Sequence, residues 1–156
     1  MIKVRLQIGN EKILDTADGF GLVYVSSDHR FEAPIKAFEQ SSYPEQEGVN
    51  INPKTVSDTF DYKVTWFIKA DGSLDNANKV IADFNALLYD RVDDIKTFKR
   101  VTFYNDYKKV KIVGIPSLIA EATEFWRDQS GKQHDVVQVE WMIRVDKPSL
   151  CDFNLE

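Results

Sequence analysis

Residues able to do chemistry are few in this 156-residue chain, and the spacing between them builds no reacting centre. His29 sits in Ser27-Asp28-His29-Arg30, a polar turn, and His134-Asp135 is an adjacent pair able to relay a proton. Neither histidine belongs to a His-Glu-x-x-His or Cys-x-x-Cys arrangement, the spacings that would hold two metal ligands together. The single cysteine, Cys151, rules out an internal disulfide, and as a nucleophile it would need a base that nothing nearby supplies. Asp93-Asp94 lacks the downstream glutamate of a calcium loop. Gly19 and Gly21 are a pair in a turn, without the longer glycine pattern that cradles a dinucleotide or a phosphate. The expectation is a non-enzyme with no catalytic site, no metal site and no cofactor. An enzymatic reading would rest on His134 and Asp135.

Aromatic side chains offer a different chemistry, because exposed rings stack on sugars and anchor protein interfaces. Trp66 and Trp141 fall in the apolar phase of alternating segments, which assigns them to the core. Trp126, after Phe125, and Tyr43, in a polar stretch, are the candidates for partner contacts. A small carbohydrate- or peptide-binding module built on Trp126 and loop tyrosines is the alternative reading.

The elements that must position these residues follow from hydrophobic periodicity. Ile2, Val4, Leu6 and Ile8 alternate with polar residues, as do Phe60, Tyr62, Val64, Trp66 and Ile68, and again Val137, Val139, Trp141, Ile143 and Val145. Each series predicts a half-buried strand, the last of them long and partly central. A short apolar run spans Leu22 to Val25. Ala77, Val80, Ile81, Phe84, Leu87 and Leu88 recur at helical spacing, predicting one amphipathic helix from about Leu74 to Tyr89 with Ser73 as N-cap. Val101 with Phe103 and Val110 with Ile112 form a hairpin that reverses at Asn105-Asp106, and Gly114-Ile115-Pro116 is expected to stop its pairing. Leu118 to Phe125 reads as another strand, Asp128 to Lys132 as a polar loop, and the segment after Lys147-Pro148 as a tail that frays or docks elsewhere. From Ser26 to Thr59 the chain turns polar and irregular, broken by Pro34, Ser41-Ser42-Tyr43-Pro44, Gly48 and Pro53. The fold expected is α+β: antiparallel, strongly curved sheet with one main helix packed on it and a long polar arm at about 26–59.

With 43% hydrophobic and 12% aromatic residues, the chain reads as one domain, 1–156, that can bury a core unaided. A net charge of -5 repels phosphate backbones and anionic lipid, so neither nucleic acid nor a membrane is an expected partner. Lys108, Lys109 and Lys111, with Lys99 and Arg100 nearby, read as the wet face of strands. Met1 to Arg5 alternates apolar and charged residues, unlike a signal peptide, and no window approaches the roughly 18 apolar residues of a membrane span.

The order of elements, with Ser42-Tyr43-Pro44 and Gly48 in the arm, Phe60-Asp61-Tyr62-Lys63-Val64, the helix ending Asn85-Ala86-Leu87-Leu88, and Val101-Thr102-Phe103-Tyr104 before Lys111-Ile112-Val113-Gly114, resembles the N-terminal domain of the distal tail proteins of long-tailed bacteriophages. The resemblance runs from Tyr43 through Pro148. It implies a structural protein of a phage or prophage tail, located in the virion tail or in the cytoplasm of a bacterium carrying a prophage. The implied partners are other tail proteins and further copies of itself, in a hexameric ring with each sheet and arm packed on its neighbour. Ser42, Tyr43, Pro44 and Gly48 are the arm residues this assigns to the interface, with Trp126 added from its aromatic character. Many members carry a second, sandwich-type domain after the region matched, and any host-recognition role seated there does not transfer to this chain.

Overall fold

Period-two alternation becomes antiparallel strands in the computed structural model of the chain, which describes residues 3–45, 47–70, 74–126 and 135–155. Ser73, the Asp128–Lys132 loop and His134 lie outside the described residues, as do the side chains of Phe125 and Trp126. The elements are β1 (Val4–Ile8), β2 (Leu14–Asp15), α1 (Thr16–Phe20), β3 (Val23–Ser27), β4 (Gln40–Ser41), β5 (Asn50–Ile51), β6 (Phe60–Lys69), α2 (Leu74–Leu87), β7 (Tyr89–Val92), β8 (Ile95–Phe98), β9 (Val101–Asn105), β10 (Val110–Pro116), β11 (Ala122–Trp126) and β12 (Val136–Val145). A single 3-10 turn, Pro148–Leu150, follows.

The two longest strands carry the clearest patterns and pair with each other along their whole length, from Val136 opposite Lys69 to Val145 opposite Phe60. Every second side chain on both is buried, including Tyr62, Trp66, Trp141 and Ile143. Burying residues of this size contributes roughly 1.5–3 kcal/mol each. The main sheet runs in the order β2-β1-β9-β10-β12-β6-β3, with β11 on the end of β12 away from β10, and it stays open. Mostly antiparallel sheet with one main helix makes this an α+β fold.

Gly114-Ile115-Pro116 does not end the pairing of β10 but transfers it. Gly114 still faces Val101 of β9, whereas Ile115 and Pro116 face Arg144 and Ile143 of β12. The crossing requires glycine, since a Cβ at position 114 would lie 2.4 Å from the Arg144 carbonyl oxygen. This strand therefore joins two leaves of sheet, β2-β1-β9-β10 and β11/β12-β6-β3, whose inner faces share one core. Across it, the Trp66 ring stands 6.0 Å from Phe103 and 6.3 Å from Trp141.

Helix α2 closes the rest of that core, its Phe84 packing edge-on 5.4 Å from Trp141 and 5.8 Å from Phe20 of α1. It ends at Leu87, two residues earlier than periodicity predicts, because Leu88 N–H closes a turn onto the Asn85 carbonyl and Tyr89 begins a strand. The Asn85 amide clamps Ile119 by donating to its carbonyl at 2.8 Å and accepting from its N–H at 2.9 Å. Residues 118–121 are thereby held out of the strand expected there, which starts at Ala122. Among the elements with no counterpart in the periodicity are α1, capped by the Asp15 carboxylate and closed by Gly21 at φ 73°, and the β7–β8 hairpin. The C-terminal tail docks, with Lys111 and Asp152 exchanging backbone hydrogen bonds at 2.7 and 2.9 Å.

Candidate assembly interface

Turn residues Pro34, Ser42, Pro44 and Gly48 bracket short stretches of extended chain, and the structure pairs these into a narrow hairpin. Ile35 bridges Ser57, Lys36 N–H donates to the Val56 carbonyl at 2.9 Å, and Asn52 N–H donates to the Glu39 carbonyl at 2.9 Å. Gln40 and Ser41 then face Ile51 and Asn50. The stretch 26–59, polar and irregular in sequence, carries a ladder whose strands, two residues long, fall below what periodicity detects. Gly48 takes φ 80°, which favours glycine, at the turn-rich tip.

Every described residue from Ile35 to Lys54 is exposed, so the hairpin stands off the body of its own chain. Large apolar side chains line it nonetheless: Ile35, Phe38, Tyr43, Val49, Ile51 and Val56, with Tyr43 67% exposed. Ser42, Tyr43, Pro44 and Gly48 lie together at the tip. Trp126 ends β11, on another part of the chain from this hairpin.

The root of the arm is held firmly. Ser27, the last residue of β3, accepts from the buried Tyr62 hydroxyl at 3.0 Å and is 2.9 Å from the Tyr24 hydroxyl. The Asn105 amide donates to Tyr24 at 3.0 Å, while its carbonyl oxygen accepts from Tyr107 and Lys108 N–H at 3.0 Å. Lys108 Nζ donates to the Ser27 carbonyl. Burial pushes the Tyr62 hydroxyl up to about 12, so it stays protonated as a donor. Asp28 exchanges bonds with the Lys63 backbone, fixing the direction in which the chain leaves β3. Beside the root, a groove of about 540 Å³ is lined by Ile35, Val56, Pro148, Cys151 and Phe153 among others.

His29 and Cys151 lie on different segments of the described chain. His29 is exposed beside Phe31, with ring centroids 4.8 Å apart. Cys151 is half-buried against β10, its Sγ 3.4 Å from Val113 N, and burial raises the thiol above its usual range. Among the described residues no three His, Cys, Asp or Glu side chains gather as a metal site. Trp66 and Trp141 are buried, and the Trp141 indole donates to the Ser117 carbonyl at 2.6 Å. A second projecting feature escaped the sequence reading: Val92 and Ile95, each 70% exposed, flank Asp93 at φ 54° on the β7–β8 turn. The signal for it is present, since a two-residue Asp-Asp turn between Tyr89-x-x-Val92 and Ile95-x-x-Phe98 tolerates positive φ.

No protein-family model matches the chain, and no curated protein matches it. Among solved structures, the fold is similar to that of the Dit protein of phage SPP1, described as a paradigm of the hub adsorption apparatus in phages that infect Gram-positive hosts. The likeness covers 93% of this chain at a TM-score of 0.58 with 12% identity. This chain spans about half of that protein, matching 50% of its length, and what is shared is the fold.

Proposed function

We propose that the chain is a structural component of a phage tail that acts by packing against other copies of itself in a ring, and against other tail proteins. The observation that carries this reading is the arm: a hydrogen-bonded hairpin, rooted in a buried polar network, that presents six large apolar side chains to solvent. A chain gains nothing by ordering such a surface alone, whereas a neighbour that covers it removes that area from water. The shared fold with a phage hub protein supports the same reading. Ser42, Tyr43, Pro44 and Gly48 form the leading contact, and an arm reaching from one copy to the next is a heterologous interface, the kind that closes into rings.

Sedimentation velocity tests this on the whole chain and on a variant in which residues 37–53 are replaced by Asn-Gly. The whole chain is expected to form larger species as concentration rises, and the shortened chain to remain a monomer with an unchanged far-ultraviolet circular dichroism spectrum. A whole chain that stays monomeric throughout, or a shortened one that associates equally well, overturns it.

A further inference from the structure

We infer that the β7–β8 hairpin tip of one copy seats in the cavity at the foot of the same hairpin on another copy. The contact rests on the reading that copies of this chain assemble, and it uses neither the arm nor a sheet face. Val92 and Ile95 pair directly across the tip, each 70% exposed, with Asp93-Asp94 as the turn between them. Side chains opposite one another on antiparallel strands project from one face, so the two form a preformed apolar wedge. The cavity encloses about 260 Å³ between the β1–β2 turn, α1 and the end of α2, with Ile8, Leu14, Phe20 and Leu87 as its apolar walls. Leu87 belongs to the apolar face of α2 yet is 48% exposed, so that face runs out onto the surface here. Pockets that hold drug-sized ligands run to about 300–1,000 Å³, and this smaller space suits a pair of aliphatic side chains.

The hairpin cannot fill the cavity of its own chain. Leu87 and Lys99 stand at its foot, and four residues of strand at about 3.3 Å each carry the tip roughly 13 Å away. A tip that fits a cavity elsewhere on the same molecule makes a heterologous contact between copies, the same class as the arm makes. Charges are compatible with insertion. Asp93 and Asp94 have no ion pair among the described residues, while Arg91 is engaged with the Asp93 carbonyl and Lys96 with the Tyr89 ring. At the cavity, Lys12 has no ion pair among the described residues, and Lys99 holds the exposed Asp90 at 3.6 Å. Glu11 also lines the opening, so the charge there is nearly balanced. Burial of Val92 and Ile95 therefore carries the contact, and Lys12 beside the tip aspartates orients it.

Photo-cross-linking tests the placement, with a diazirine analogue of leucine at position 95 in an equal mixture of isotope-labelled and unlabelled whole chains. In assembled samples, cross-links between labelled and unlabelled chains are expected to fall within residues 8–20 and at Leu87 or Lys99. By sedimentation velocity, Val92→Ser with Ile95→Ser is expected to weaken assembly about tenfold or more, and Leu87→Lys to do the same from the cavity side, with unchanged far-ultraviolet circular dichroism. Cross-links that fall elsewhere in samples that have assembled overturn the inference and leave assembly through the arm standing. So does a tip-substituted chain that assembles like its parent, a result that would assign the tip to a different protein. A parent that never assembles overturns both.

Discussion

Tyr62 shows how a single buried side chain links the core to the arm, because its ring packs 5.9 Å from Phe103 while its hydroxyl serves Ser27 at the arm root. Its folded pKa, raised from 10.0 to about 12, means that the stability it contributes is complete below pH 10 and is lost as pH rises towards 12. Urea midpoints of the parent should fall more steeply over that window than those of Tyr62→Phe, which in turn loses about 0.5–1.5 kcal/mol at neutral pH with its hydrogen bond. Asp146 gives the opposite dependence. Two hydrogen bonds from Arg100, at 2.7 and 2.9 Å, hold its carboxyl at about 2, so its contribution is present above the usual carboxylate range and lost as pH falls towards 2. Both groups are partly exposed, which limits that contribution to roughly 0.2–1 kcal/mol, and Asp146→Asn should flatten the acid limb of the denaturation profile by no more than this. The tyrosine was legible as a core residue from its place in a period-two series. Its polar surroundings were not, since Ser27 and the Asn105–Lys108 turn are far apart along the chain and meet only through strand register.

Among the elements, the long strands and α2 were legible because their apolar residues repeat over many positions, and the structure buries the phases that the alternation marks. What escaped was short or depended on distant partners: α1 has five residues, and the ladder of the arm is built from pairs. The transfer of β10 from β9 to β12 was read as a stop, since Pro116 usually ends pairing and the accepting strand lies far along the sequence. That junction gives a sharp prediction. Gly114→Ala sets a Cβ against backbone at Arg144, where no side chain can yield, and should cost about 1–3 kcal/mol or more in thermal or urea denaturation. Asp15→Ala should cost about 1 kcal/mol by uncapping α1, without effect on the arm.

For the molecule as a whole, the division of labour is between a sheet body that buries most of its large apolar residues and an arm that exposes them. The arm's composition was legible as polar and broken, and its turn residues marked the tip. That it carries an apolar surface was not, because Ile35, Phe38, Tyr43, Val49 and Ile51 follow no sustained period. The proposal that this surface exists for another copy is tested most directly by amide hydrogen exchange at low and high protein concentration. Amides of residues 38–52 should exchange quickly in the dilute chain and slow markedly in the concentrated one, while those of β6 and β12 exchange alike in both. Equal exchange of the arm at the two concentrations, in samples whose mass shows that association has occurred, would contradict the account.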